Sequence, residues 1–283
     1  MTNLTRRAAL GAAAATIGTI GLKTGAAQAA APVAGKQAAS WYRHKLGDIE
    51  LTVVSDGIAR FKMPDTHVVN KKRDEVDAHL ASLFMDSNEL ITPYNPTVVN
   101  NGGKLSIIDP GLGEAAFVST KGLGGQLMTN LAAAGIDAGA VDSVIITHMH
   151  PDHINGLLRA DGSLAFPNAQ VLIPAAERKF WMDDGEMARA PKGLIEAVFK
   201  NVRRVFGGEV LKRTAAYEWD KEVVPGITAI GTAGHSAGHT SHVIASGSAR
   251  LQDPMVKGKS ARASVKSSRP MACSRQAAPP EKS

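Results

Sequence analysis

The sequence predicts a mixed α/β fold of the α+β type, in which buried strands are connected by amphipathic helices. Residues 96–108 have the alternation and central glycines of a β-hairpin. Further along, a helical pattern over 123–134 precedes an apolar strand over 141–146, and a strand over 170–173 precedes a helix over 175–182. Because alternating strands and helices bury their apolar faces against one another, these stretches predict a sheet covered by helices.

The chain before the hairpin predicts two further strands and a helix. Residues 41–54 carry apolar positions on both sides of Gly47, which indicates two short strands joined by a tight turn. Residues 76–85 have a helical pattern in a more polar region. Two histidines of this region, His67 and His79, have no ligand-type neighbour at metal spacing, so we expect both on the surface.

The chain after the second strand–helix pair predicts a long helix over 191–205 and a strand over 226–230. Phe180 and Trp181 either wall a substrate pocket or belong to the core, and the core is the commoner place for such aromatic residues. His242 alternates with apolar residues, which favours the exposed face of a strand.

One short stretch concentrates the reactive groups of the chain. Positions 148–153 contain three histidines and one aspartate, directly after an apolar run with the character of a buried strand. His148 and His150 lie two residues apart, so in an extended segment both point the same way and can bind one metal. Asp152 and His153 are adjacent, which suits a second metal nearby. Imidazole and carboxylate are ligands of zinc-type ions, so the stretch predicts a metal centre at the end of a strand.

This stretch resembles the H-x-H-x-D-H signature of the metallo-β-lactamase-fold hydrolases. Two further segments extend the resemblance: residues 103–113 are similar to the family's early strand ending in an aspartate and a glycine turn, and residues 232–241 to its second ligand loop. The resemblance covers residues 41 to about 247. Within the family, the chain looks most like the exported methyl parathion hydrolase-like and lactonase-like enzymes. The resemblance implies a four-layer αββα sandwich.

The resemblance also implies a binuclear centre of zinc-type ions. The first metal would be held by three histidines: His148, His150 and His235. The second would be held by Asp152 and His153, with Asp152 also accepting a proton during catalysis.

Two more residues near these ligands have open roles. Asp109 either begins a turn or, as the resemblance implies, supports the metal ligands without binding a metal. His239 either orients a neighbouring group or is only structural.

The second-metal site is incomplete in this sequence. The family would supply a bridging aspartate well after His235 and a further histidine beyond it. The expected region near Val256 has no carboxylate, Asp253 comes too early, and no histidine follows His242. We therefore expect one zinc ion or none in this chain, weak binding of a second metal, and low or absent activity.

The tail over 248–283 differs in composition from the residues before it. It is rich in Ser, Ala, Lys and Arg and contains no aromatic residue, a composition typical of disorder. We interpret it as a loss of reading frame near Leu251, which would leave the C-terminal half of the sandwich incomplete. The alternative is an ordinary disordered basic tail, which would also leave the metal site incomplete.

The first 29 residues are typical of an export signal. Arg6 and Arg7 precede an uncharged stretch of small and apolar residues over 8–22, and the sequence Ala-Gln-Ala up to Ala29 resembles a cleavage site. The stretch is too short for a convincing membrane span, which argues against the alternative of an uncleaved anchor and against stable membrane insertion. The twin arginines predict export by the twin-arginine machinery to the periplasm or beyond.

Charge and cysteine content restrict the partners of the predicted domain, residues 30–247. The whole chain has a net charge of +6, but the excess lies at its two ends, and the domain holds 21 basic against 24 acidic residues. This acidic balance argues against a nucleic-acid-binding face. The single cysteine, Cys273, excludes an intramolecular disulfide.

The expected function is metal-dependent hydrolysis of a small molecule, in which hydroxide attacks an ester, a lactone or an organophosphate. Two alternatives remain open. One is an oxidoreductase with a single iron, similar to persulfide dioxygenases, whose site would use two histidines and one carboxylate. The other is a nonenzymatic, metal-binding remnant. Metal identity separates the first two, and a cooperative melt sensitive to chelator separates both from the third.

Overall fold

The fold is taken from a computed structural model, which describes residues 38–65, 67–68 and 70–252. The described residues from Ala39 onward belong to one compact unit. The predicted signal, and the predicted tail from residue 253, lie outside the described residues. The strands are β1 (Trp41–Leu46), β2 (Ile49–Val54), β3 (Gly57–Lys62), β4 (Glu89–Tyr94), β5 (Thr97–Asn101), β6 (Lys104–Ile108), β7 (Ser143–Ile145), β8 (Gln170–Pro174), β9 (Thr214–Tyr217), β10 (Glu222–Val224), β11 (Ile227–Gly231), β12 (Thr240–Ser246) and β13 (Ala249–Gln252).

All but the first of the helices lie in the connections between the parallel strands β6 to β9. The α-helices are α1 (Arg73–Ser82), α2 (Ala115–Ser119), α3 (Leu127–Ala133), α4 (Pro151–Ile154), α5 (Ala175–Trp181), α6 (Asp184–Arg189), α7 (Leu194–Val205) and α8 (Gly208–Lys212). Two short 3₁₀ turns, Ala138–Ala140 and Asn155–Leu157, complete the described elements. None of the helices in the described part of the chain is long and apolar enough to cross a membrane.

The strands form a large sheet, a small sheet and a separate hairpin. The large sheet has the order β1-β2-β5-β6-β7-β8-β9, and it is antiparallel as far as β6 and parallel from β6 to β9. The small sheet, β10-β11-β12-β13, is antiparallel throughout. Strands β3 and β4 pair only with each other. The carboxyl ends of β6 and β7 meet at one edge of the large sheet, where Ile108 pairs with Ile145.

Two apolar clusters hold these layers together. Between the two sheets, residues such as Leu51 and Ile145 of the large sheet pack with Ile227 and Ile244 of the small one. On the other face of the large sheet, helices pack through a second cluster. Helix α7 contributes four buried residues at helical spacing: Val198, Phe199, Val202 and Val205. The described residues therefore form helix, sheet and sheet layers of the predicted sandwich, which confirms the mixed α/β fold class.

Most predicted elements are present, but two helices are shorter than predicted. The predicted helix over 123–134 is confined to α3, because Gly122 and Gly125 adopt φ values of 85° and 72° that interrupt a helix. The predicted helix over 191–205 begins only at Leu194, after Gly193 with φ of 98°. Left-handed glycines mark both starts, and their backbone conformation is not visible in the apolar pattern.

Two further expectations need correction. Strand β13 lies inside the predicted tail and pairs with β12, so the first residues of that segment are ordered and belong to the small sheet. His242 was expected on an exposed strand face, but it has no exposed surface. Strand β12 turns that face toward the large sheet, where the His242 ring contacts Tyr217. His67 and His79 are exposed, as predicted.

Candidate metal centre

Three loops at one edge of the sandwich bring the predicted ligands together. Strand β6 ends directly before Asp109. Strand β7 leads into the loop with His148 and His150, and helix α4 then starts with Pro151 in its first turn, where proline is well tolerated. The loop between β11 and β12 carries His235. The parallel register of β6 and β7 places the first two loops side by side.

The three predicted first-metal histidines converge. One ring nitrogen from each of His148, His150 and His235 lies within 4.8 Å of the other two. His150 Nδ1 and His235 Nε2 are 3.1 Å apart, and the ring centroids of these two residues are 4.7 Å apart. The His148 ring lies 4.7 Å from His150 and 4.8 Å from His235, both edge to face. We call these three residues the histidine triad.

The triad runs from the protein interior to the surface. His148 is fully buried, His150 is half-buried and His235 is exposed. His148 Nδ1 pairs with Thr147 Oγ1 at 3.0 Å, whereas His148 Nε2 has no hydrogen-bond partner among the described residues. A buried polar atom normally has a partner, so we expect a bound ligand at this nitrogen. Three imidazoles and one unpartnered buried nitrogen fit a zinc-type ion.

Burial keeps the His148 and His150 imidazoles in the neutral form that binds metals. Burial, reinforced by the neighbouring His153 ring, lowers the pKa of His148 far below its usual value. Burial, together with nearby His235, lowers the pKa of His150 to about 4. Because a histidine must lose its proton before it binds a metal, both side chains are ready for binding at neutral pH.

Asp109 begins the loop after β6 and forms hydrogen bonds with the loop after β7. Its Oδ1 accepts a hydrogen bond from the Thr147 backbone N–H at 2.8 Å, and its Oδ2 accepts one from Thr147 Oγ1 at 2.6 Å. Oδ2 also pairs with His153 Nδ1 at 2.8 Å. The residue adopts φ of 51°, a region that aspartate tolerates better than most residues. Asp109 is therefore placed to hold both the triad loop and His153.

The predicted second-metal pair is also brought together. His153 Nε2 lies 3.4 Å from Asp152 Oδ2. Burial opposes protonation of His153, but the carboxylates of Asp109 and Asp152 outweigh it and raise the pKa of His153 to about 10. Burial favours the neutral acid at Asp152, yet the adjacent His153 lowers the pKa of that carboxyl below its usual value. Between His242 and the end of β13, the chain offers no further His, Asp or Glu.

His239 lies beside the triad. Its ring centroid is 4.9 Å from that of His148 and 5.8 Å from that of His235. Its Nδ1 pairs with Thr232 Oγ1 at 2.8 Å, which fixes the ring plane. Burial and the nearby His235 ring lower the pKa of His239. The residue thus packs against the triad, in agreement with an orienting role.

Glu177 is a residue of this centre that the sequence pattern did not single out. It is fully buried in α5, and its carboxylate accepts three hydrogen bonds, two of them from the loops that carry the triad. The available signal was one acidic residue in the first turn of the predicted helix over 175–182, four residues before Trp181. Trp181 itself belongs to the core, and its ring lies 5.7 Å from that of His150. Phe180 packs against the same core from a half-buried position.

Comparisons with known proteins agree with this fold. A family model for the metallo-beta-lactamase superfamily matches residues 91–251, more than half of the chain. A search of curated proteins found no match.

Several solved structures share the fold. The hydrolase AbOPH of the beta lactamase superfamily is 28% identical, with 77% of this chain and 74% of that chain covered and a TM-score of 0.68. The dizinc quorum-quenching lactonase AidC, solved with a product, is 23% identical over 75% of this chain and 72% of that chain, with a TM-score of 0.64. A probable metal-dependent hydrolase from Staphylococcus aureus is 22% identical over 74% and 73%, with a TM-score of 0.58.

The family match spans the strands that build the site as well as both loops that carry the triad. The neighbouring structures reproduce the same sandwich over about three quarters of this chain. The chain therefore belongs to the metallo-beta-lactamase superfamily, a family of enzymes that includes metal-dependent hydrolases.

Proposed function

We propose that this chain carries a zinc-type hydrolase centre for a lactone, an ester or an organophosphate, with the ion held by the histidine triad. The observation that carries the proposal is the convergence of three ring nitrogens within 4.8 Å, one of which, His148 Nε2, is buried without a partner. Family membership supports hydrolysis as the reaction class. The likeness to AidC, a dizinc lactonase, supports lactones as one substrate class to test.

A zinc-type ion held by the triad would act as a Lewis acid and would lower the pKa of water to about 7. Side chains of the protein would accept the proton and admit the substrate. Asp152 is kept ionised near neutral pH, so its Oδ atoms can accept a proton from the attacking water. His235 is exposed, so its side of the centre is accessible to a small substrate, whereas His148 lies buried on the other side.

A hydrogen-bond chain fixes the orientation of His148. If His148 binds the ion through Nε2, its Nδ1–H donates to Thr147 Oγ1, and the Thr147 hydroxyl donates to Asp109 Oδ2. Such a chain holds one tautomer and one ring orientation of the ligand. This arrangement supports Asp109 as a residue that prepares the site without binding the metal.

We further propose that the second-metal position is weak in this chain. Asp152 and His153 supply two ligands, and the sequence offers neither a bridging carboxylate at the expected position nor a histidine after His242. Turnover should accordingly be slow. The same observation favours a second candidate, a metal-binding remnant without activity.

A set of hydrolysis assays tests the proposed function and separates the two candidates. The full chain, loaded with zinc, is offered an N-acyl homoserine lactone, a p-nitrophenyl ester and a p-nitrophenyl phosphotriester. We expect slow turnover of at least one substrate, which chelator abolishes and which the exposed-site variant His235→Ala lacks. Zinc binding without turnover would support the remnant. Turnover that survives both chelator and His235→Ala would contradict the proposed centre.

We also infer that residues 1–29 are an export signal, that the catalytic domain consists of residues 30–247 together with strand β13, and that the protein acts in the periplasm or outside the cell. The twin arginines and the cleavage-site pattern support this inference. A folded, metal-loaded protein is the kind of cargo that the twin-arginine machinery would carry.

A further inference from the structure

We propose that Glu177 is a positioning residue that joins the two loops of the histidine triad and thereby sets the metal affinity of the site. This inference rests on the proposed function, since it requires that the triad binds a metal. Glu177 lies in the first turn of α5, directly after β8. Strand β8 is the neighbour of β7 in the large sheet, so α5 starts beside the loop that carries His148 and His150.

The Glu177 carboxylate accepts a hydrogen bond from each triad loop. Oε2 accepts from the backbone N–H of Met149 at 2.9 Å, and Met149 is the residue between His148 and His150. Oε1 accepts from the backbone N–H of Gly238 at 2.5 Å, three residues after His235. One side chain therefore ties together the backbones that carry all three ligands.

Glu177 is enclosed by the protein, and its carboxylate pairs only with N–H donors. The side chain has no exposed surface, so it cannot touch a substrate. Its third hydrogen bond comes from Trp181 Nε1, at 2.8 Å and one helical turn away. No lysine, arginine or histidine in the described part of the chain forms an ion pair with it. Burying a carboxylate costs free energy, and here only three N–H donors offset that cost.

The second triad loop, which carries His235 between β11 and β12, lies directly against the first turn of α5. A Cβ atom added to Gly238 would lie 2.8 Å from Ala176 Cβ and would clash with the backbone nitrogen of Glu177. The position thus admits glycine only, and the loop approaches close enough for the Glu177 bond to form. Besides the two bonds to Glu177, one backbone–backbone hydrogen bond in the described residues joins the two segments. It runs from Thr240 N–H to the Thr147 carbonyl, at 3.0 Å.

Glutamine cannot replace Glu177 without loss. All three partners are donors, and both oxygens accept. A glutamine side chain has one acceptor oxygen and one NH₂ donor, so its NH₂ must face an N–H of one loop. The loop that faces the NH₂ group loses its bond, and its ligand is no longer held in place. Changes in residues that orient metal ligands typically weaken metal binding about 10- to 100-fold.

Asp56 offers a matched control elsewhere in the fold. It is also a fully buried carboxylate that joins two segments, through Leu112 N–H at 2.7 Å and Leu127 N–H at 2.8 Å. Neither segment carries a residue of the triad. Asp56→Asn therefore makes the same chemical change at a buried carboxylate that does not contact the triad loops.

The test measures zinc affinity and ligand geometry in the full chain. Dissociation constants for zinc are determined by competition with a chromophoric chelator for wild type, Glu177→Gln and Asp56→Asn. The absorption spectrum of each cobalt(II)-substituted protein reports the geometry of its ligands, and urea unfolding of each metal-free protein reports stability. Glu177→Asp is the second variant, because it keeps the charge but is too short to reach both loops.

We expect Glu177→Gln to bind zinc about 10- to 100-fold more weakly than wild type, with an altered cobalt spectrum. Glu177→Asp should also bind zinc more weakly and show an altered cobalt spectrum. Asp56→Asn should lose stability, while its zinc affinity and cobalt spectrum stay close to wild type. Wild-type affinity and spectrum in either folded Glu177 variant would overturn the inference, as would an equal loss of affinity in Asp56→Asn. If wild type itself binds no zinc, the proposed function fails, and the positioning role fails with it.

Discussion

Asp109 joins the loop that carries His148 to His153 through a single carboxylate. It holds the backbone and the hydroxyl of Thr147, which precedes His148, and it pairs with His153 on its other side. Its left-handed backbone, with φ of 51°, is a conformation that asparagine also tolerates and alanine rarely adopts. Asp109→Asn therefore tests the side chain alone, and Asp109→Ala tests the side chain and the backbone together.

Replacing Asp109 by Asn should lower the free energy of unfolding by about 1–3 kcal/mol, because a buried donor of Thr147 or His153 is left without its acceptor. Asp109→Ala should lose more, since it removes every acceptor and also strains the backbone. Urea unfolding of the metal-free proteins measures both. Equal stability of the two variants would show that neither the acceptor that asparagine keeps nor the left-handed backbone contributes.

His242 makes a prediction about acid stability. Burial lowers the pKa of His242 to about 4, from an ordinary value of 6.5 in the unfolded chain. Between these two values the unfolded state binds more protons, so this residue's contribution is complete above pH 6.5 and is lost as the pH falls toward 4. The shift corresponds to about 3 kcal/mol at the acid end.

We predict that His242→Gln flattens the dependence of stability on pH in this window. The measurement is the free energy of unfolding by urea at several pH values between 7 and 4.5, on metal-free protein. His148 and His150, whose pKa values are also lowered, are present in both proteins and cancel in the difference. An unchanged slope in the variant would count against a buried neutral His242.

At the scale of elements, the site depends on how closely three loops and one helix approach. Several of these loops were predictable from sequence, because their glycines and ligands are local signals. The β5–β6 hairpin follows from the glycine pair in its turn, and the ligand loop follows from the spacing of His148, His150 and His153. Glu177 was not predictable, since its role depends on a backbone N–H of Gly238, 61 residues away.

Gly238→Ala should separate helix α5 from the second triad loop. The added Cβ would clash with the Glu177 backbone, and overpacking of this kind costs about 1–3 kcal/mol. Thermal unfolding should show a lower midpoint, and zinc affinity should fall because His235 moves with the loop. Gly139→Ala is the control: its Cβ would meet nothing closer than 3.4 Å, and it lies outside both loops that carry the triad. A variant at Gly238 with wild-type stability and affinity would show that the loop adjusts freely.

At the scale of the whole molecule, the sequence predicted the layers better than their edges. Periodicity identified the strands and helices that form the apolar clusters, because burial on one face leaves a regular pattern. The inward-facing side of β12 was assigned wrongly, since a histidine among apolar residues looks the same on either face of a strand. The basic composition after residue 247 also obscured β13, whose pairing with β12 depends on backbone bonds rather than on side chains.

The two ends of the chain carry its positive charge, and the first of them makes a prediction about export. Changing Arg6 and Arg7 together to lysine should keep the protein in the cytoplasm with its signal attached, because the twin-arginine machinery distinguishes arginine from lysine. Fractionation with mass determination checks this, and wild type should start after Ala29 in the periplasmic fraction. Periplasmic, processed protein from the twin-lysine variant would argue for a different export route.

The metal content of the purified protein tests the central claim most directly. Elemental analysis of the full chain, after zinc loading and removal of loosely bound ions, gives the number of zinc-type ions per chain. A complete triad beside an incomplete second position predicts one ion per chain, and none in His235→Ala. Two tightly bound ions per chain would show that the residues after His242 complete the second position, and none in wild type would show that the triad is not a metal site.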